Sequence, residues 1–127
     1  MPVTIAIDPA VDLITYTVKG DLHLNDLRHA LESQFEHPHF RKGMNAMWNL
    51  KEARITVSMG ELPELISALQ GMSERRGKGF KVALLVRSNE DFGLSSLFEM
   101  SAYVLPFDVR VFRNTKEATD WVTGVTK

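Results

Sequence analysis

The segment that most limits the fold is residues 80–87, Phe-Lys-Val-Ala-Leu-Leu-Val-Arg, because it is apolar on both of its faces. Successive side chains of a strand point to opposite sides, so Phe80, Val82, Leu84 and Val86 face one way and Ala83 and Leu85 the other. Such a strand stays dry only inside a sheet covered on both sides, as in mainly parallel α/β folds. The chain must therefore supply other strands to flank this one and helices to cover it.

Both are legible in the hydrophobic periodicity. Residues 3–7 are β-rich and run into Asp8-Pro9-Ala10-Val11, where Pro9 presets a turn and Asp8 offers an acceptor to the backbone. Residues 13–19 resume as a strand, with Ile14, Tyr16 and Val18 on one face and Thr15, Thr17 and Lys19 on the other, stopping at Gly20-Asp21. The two form an antiparallel hairpin. From Leu24 the period changes: Leu24, Leu27, Leu31 and Phe35 mark an amphipathic helix, capped by Asn25 or His23 and ending near His37-Pro38. Residues 44–50 read as a short strand. Ser58-Met59-Gly60-Glu61 has the capping-box pattern of a second helix, carrying Met59, Leu62, Leu65, Ile66, Leu69 and Met72 on one stripe. Pro63 conflicts with Ser58 as N-cap, since the missing N–H would fall where a helical bond is needed, and Gly60 as N-cap removes the conflict. A third helix runs from Ser88-Asn89-Glu90-Asp91 to about Val104 and ends before Pro106. Residues 108–113 form the last strand, and Asn114 to Glu117 open a short helix with Ala118, Trp121 and Val122 inward, stopped near Gly124.

The order is β-β-α-β-α-β-α-β-α, which implies a single α/β domain over residues 1–127 with a mixed, mostly parallel sheet and helices packed on it. A chain of 127 residues holds a core without covalent staples, and this one has no cysteine, which excludes thiol catalysis and thiolate metal sites. Fifteen Lys and Arg against 16 Asp and Glu give a formal charge of −1, which exerts no general pull on nucleic acid or anionic membrane. With no apolar run of spanning length and no basic, apolar leader at Met1-Pro2-Val3-Thr4, the expected location is the cytoplasm.

Three pieces carry a family resemblance: Met47-Trp48-Asn49-Leu50; Lys81 to Val86 followed by Phe92-Gly93-Leu94; and the run from Leu105-Pro106-Phe107 through Arg113 to Asp120-Trp121. Together they resemble bacterial STAS-like, stage II sporulation AA-like (SpoIIAA-like) proteins, a likeness that covers nearly the whole chain. The resemblance implies a STAS-like fold and a non-catalytic, regulatory role through protein–protein contact. It also places Ser58 at the position phosphorylated in anti-sigma-factor antagonists. A helix N-terminus favours phosphate there. Yet Val57 stands where that pattern has Asp, Met59 replaces its second Ser, and Asn49 stands where that family branch has Asp, so Ser58 is expected to act as a cap.

Other constellations yield no chemistry. His37-Pro38-His39 after Glu36 has no third ligand at suitable spacing and reads as a solvated loop. No Gly-x-Ser-x-Gly elbow and no phosphate-binding glycine motif occurs, and Arg75, Arg76 and Lys78 read as cations that complement a helix C-terminus. Catalysis, cofactors and metals are accordingly not expected. The third helix carries more. At 100° per residue Leu94, Leu97, Phe98, Val104 and Leu105 share a core-facing arc. Phe92, Met100 and Tyr103, with Ser96, fall on a second arc away from the sheet. If exposed, they are a surface for self-association as a homodimer, for another protein or for an apolar ligand. Two function classes follow: an interaction module, favoured by a flat exposed patch, and a carrier of a small apolar molecule or lipid, favoured by a continuous cavity between helices and sheet.

Overall fold

A computed structural model of the chain describes residues 2–87 and 89–124, with the backbone alone at residues 89–92, 94 and 97. Strands β1 (Val3–Asp8), β2 (Leu13–Leu22), β3 (Asn45–Ile55), β4 (Lys81–Leu85) and β5 (Asp108–Phe112) form one sheet in chain order. β1 pairs antiparallel with β2 and every later pair is parallel. The helices are α1 (Leu24–Ser33), α2 (Leu62–Gly71), the single turn α3 (Ser73–Arg76), α4 (Asn89–Ser101) and α5 (Thr115–Thr123).

The layering follows from the strand order. Parallel strands added one after another with a single hand of crossover place every crossover helix on the same face. Tyr16, Trp48, Val82 and Leu84 accordingly share a core with Leu31 of α1, Leu65 of α2 and Phe98 of α4. α5 follows the last strand and covers the opposite face, where Leu13, Met47, Ala83 and Leu85 meet Ala118 and Val122. β4 is therefore buried on both sides, as its composition requires. Asn45 ties the second layer down: its Nδ2 donates to the Val122 carbonyl at 2.8 Å, and its Oδ1 accepts from the Lys81 N–H at 2.8 Å.

Several boundaries differ from the sequence reading. β2 continues past Gly20 to Leu22, and β3 past Leu50 to Ile55, because these extensions pair with each other beyond an irregularity between Thr17 and Lys19. The β2 extension, Lys19-Gly20-Asp21-Leu22, loses the alternation of its first half, whereas Glu52-Ala53-Arg54-Ile55 of β3 alternates between exposed and half-buried positions. At the second helix a short 3₁₀ turn, Met59–Glu61, separates Ser58 from α2. Pro63 then lies in the first turn of α2, where its absent N–H costs nothing, so neither Ser58 nor Gly60 is the cap of the α-helix itself. Met59 is exposed and leaves the core stripe. The third helix also tightens into a 3₁₀ turn, Ala102–Val104, which adds about 120° per residue instead of 100°. That phase change turns Val104 outward, 46% exposed, whereas Leu105 and Phe98 stay inward as expected. The side chains of Leu94 and Leu97 lie outside the described residues.

Candidate functional site

The crossover helices do not close completely on the sheet. Between them lies a cavity of about 120 Å³. Tyr16, Trp48, Val82 and Leu84 form its floor, with Leu27 and Leu31 of α1, Leu62, Leu65 and Leu69 of α2, and Phe98 of α4 above. Small residues stand among the large ones of its lining: Ala46 on β3, the buried Ser95 on α4, and Ser73 and Gly77 at α3. The Tyr16 and Trp48 rings stack on the floor with centroids 4.0 Å apart, giving this end a flat aromatic wall.

One end of the cavity is polar. The Tyr16 hydroxyl donates to Gln34 Oε1 at 2.5 Å, and Gln34 Nε2 donates to the Leu31 carbonyl at 2.7 Å. Arg76 enters beside them. Its Nη2 donates to the Met44 carbonyl at 2.5 Å, and its guanidinium carbon stands 3.9 Å from the centre of the Phe80 ring. Arg76 is only 7% exposed, and its Nη1 is buried with no hydrogen-bond partner among the described residues. Burial pushes the Tyr16 hydroxyl up to about 12, an effect that the neighbouring Arg76 charge partly offsets. Burial likewise lowers Arg76 from its ordinary value, with Tyr16 opposing. An arginine starts so high that it keeps its charge.

Local structure explains why Arg76 points inward. α3 is a single turn that ends at Gly77, whose φ of 97° suits glycine and reverses the chain. The reversal is packed tightly, because a Cβ on residue 77 would lie 2.7 Å from the Gly43 nitrogen. That same nitrogen donates to the Arg76 carbonyl at 2.8 Å, fixing the backbone from which the side chain departs. Arg75 leaves the turn outward, pairs with Glu32 at 2.8 Å and covers the Phe35 ring at 4.3 Å. Two neighbouring arginines that look alike in sequence thus have opposite environments, and Arg76 is not the solvated helix-end cation it was expected to be.

The residues singled out from sequence fall elsewhere. Ser58 is exposed; its N–H and hydroxyl donate to Glu61 Oε1 at 2.9 and 3.2 Å, which realises the expected cap on the 3₁₀ turn. It flanks the cavity through its neighbour Val57, a lining residue. Met100 and Tyr103 are 73% and 85% exposed, and they form an outward surface at the end of α4. The Phe92 side chain lies outside the described residues. Ser58, Met100 and Tyr103 do not line the cavity. Gln34 was overlooked, although it continues the stripe Leu24, Leu27, Leu31 and signals a polar group on a buried face.

No family model matches the chain, and no curated protein matches it. Among solved structures it is similar to a protein of the DUF3478 family with a SpoIIAA-like fold from Shewanella loihica PV-4. The TM-score is 0.61, with 14% identity over 94% of this chain and 93% of that one. At that identity the likeness concerns the fold and not the site. The chain is a single-domain α/β protein with a SpoIIAA-like fold.

Proposed function

We propose that this protein is a non-catalytic binding module for a small apolar molecule held between its sheet and crossover helices. The apolar cavity closed at one end by a polar cluster carries this reading, since small-molecule sites are concave, mostly apolar and oriented by a few polar groups. No His, Asp or Glu lines the cavity among the described residues, so the reading assigns no general base and no reaction there. No helix among the described residues is long and apolar enough to cross a membrane. The chain's two tryptophans lie in different layers, which makes the test direct. Trp48 lines the cavity and Trp121 lies on the opposite layer, so Trp121→Phe leaves a single reporter. Octanol should shift the Trp48 emission saturably and raise the melting temperature, and Leu65→Phe, which narrows the cavity without adding a second tryptophan, should weaken both responses. A wild type that gives neither response, and that carries no small molecule in native mass spectrometry, would falsify the carrier reading.

A second reading has its own observation. Met100 and Tyr103 present exposed apolar area on one face of the α4 terminus, beside the half-exposed Val104. Exposed Met and aromatic side chains in one patch suit a protein contact, and a homodimer is the simplest form of the regulatory role that the fold resemblance implies. The two readings use different surfaces and do not exclude each other.

A further inference from the structure

We infer that the cavity selects monocarboxylates, with the buried Arg76 guanidinium at its polar end as the cation that attracts the carboxylate and the apolar slot as the seat of the hydrocarbon. This rests on the binding-module reading and names its ligand class. Three observations carry it. The first is a cation taken out of water without a counter-ion. Arg76 is 7% exposed, and its neighbours are a carbonyl oxygen, aromatic rings and the neutral Tyr16 hydroxyl, not a carboxylate. Leaving a charged donor buried and unpaired is among the more costly defects a fold can keep. A structural role alone is served by Nη2, which already holds the Met44 carbonyl.

The second observation is that the neighbours are set to help an anion and not to compete with one. Tyr16 stays a neutral phenol through the physiological range, and Gln34 is held by the Leu31 carbonyl. The acidic group nearest in sequence on the packed helix, Glu32, is engaged outside by Arg75. No carboxylate of the protein lines the cavity among the described residues. A ligand carboxylate therefore meets a positive donor and a polar but uncharged surround. A charge-assisted bond of this kind in a dry site is roughly twice as strong as a neutral one.

The third observation is size. The cavity of about 120 Å³ compares with the engineered apolar cavity of about 150 Å³ that holds benzene. The enclosed hydrocarbon is then on the order of six carbons, as an aryl ring or a short chain, and an eight-carbon probe reaches past it to the open side of the cavity. Long-chain lipids exceed the space, and an ammonium head group would face Arg76 with like charge.

The probes are sodium octanoate, octanol and octylamine, compared by titration of the Trp48 emission in the Trp121→Phe protein. Octanoate should bind at least tenfold more tightly than octanol, and octylamine more weakly than either. Arg76→Met should remove the octanoate preference while octanol still binds. Because Arg76→Met also removes the bond to the Met44 carbonyl, the comparison among the three probes on the protein with Arg76 intact stands as a test without it. Equal affinity for octanoate and octanol there overturns the carboxylate assignment and leaves the apolar site standing. Failure of all three probes to bind overturns both.

Discussion

At the residue scale the burial of Tyr16 has a measurable consequence for stability. Its hydroxyl is pushed from an ordinary value of 10 to about 12, mainly because burial disfavours the phenolate. The folded state then holds its proton over a pH range in which the unfolded chain has begun to lose it. Between pH 10 and 12 the unfolded state binds fewer protons, so stability falls as pH rises. The contribution is fully present below pH 10, and the loss across the window is about 3 kcal/mol. Tyr16→Phe should remove this component of the alkaline loss, measured as the difference between the two proteins' urea stabilities at pH 9 and pH 11. Parallel curves for the two proteins would mean that the hydroxyl is not buried as described. Little of this was legible in the sequence. The alternation places Tyr16 on one face of its strand with Ile14 and Val18, but nothing local distinguishes an inward Arg76 from an outward Arg75. That choice is made by the close approach of Gly77 to Gly43, a contact between segments far apart in the chain.

At the level of elements, the helices and strands whose periodicity is unbroken were legible, and those that change geometry midway were not. β4 was identified by being apolar on both faces, and α5 by Asn114, whose Oδ1 accepts from the Glu117 N–H at 3.0 Å. The extensions of β2 and β3 escaped because they are held by pairing with each other, and the 3₁₀ turns escaped because a one-turn change of pitch leaves no compositional mark. The two faces of β4 also differ in packing, which separates the effects of neighbouring substitutions. Leu85 is enclosed under α5, whereas Leu84 borders the cavity and already lacks some contacts. Large-to-small changes cost the transfer energy plus the new void, so Leu85→Ala should cost about 3–5 kcal/mol and Leu84→Ala nearer 2 kcal/mol. Thr17→Ala, on a half-buried position of β2, should cost less than about 1 kcal/mol. Urea melts of the three variants check the ranking; a Leu84 variant more damaged than the Leu85 variant would contradict a cavity above Leu84.

For the whole molecule, the arrangement follows from chain order alone: strands added in sequence, helices between them, one hand of crossover. The cavity does not, because it depends on how far the crossover helices stand from the sheet, and the outer end of α4 shows what is left once that packing is complete. Met100 and Tyr103 remain 73% and 85% exposed there, and a formal charge of −1 offers little repulsion between copies. A two-fold axis through the patch would set Met100 and Tyr103 against their own copies and close the assembly, leaving no second patch to propagate it. The Tyr103 ring contributes apolar area while its hydroxyl stays at the wet rim, a division of roles common at interfaces. Opposite charges at the two positions would create new pairs across the axis, so Met100→Glu with Tyr103→Glu is the cleaner variant. Sedimentation at tens of micromolar should show a dimer for the wild type and a folded monomer for the double variant. Octanol binding to the Trp48 pocket should survive in both, since the patch and the cavity share no residue. A monomeric wild type, or a double variant that remains dimeric, would remove the patch from the function and leave the cavity as the site that this fold presents.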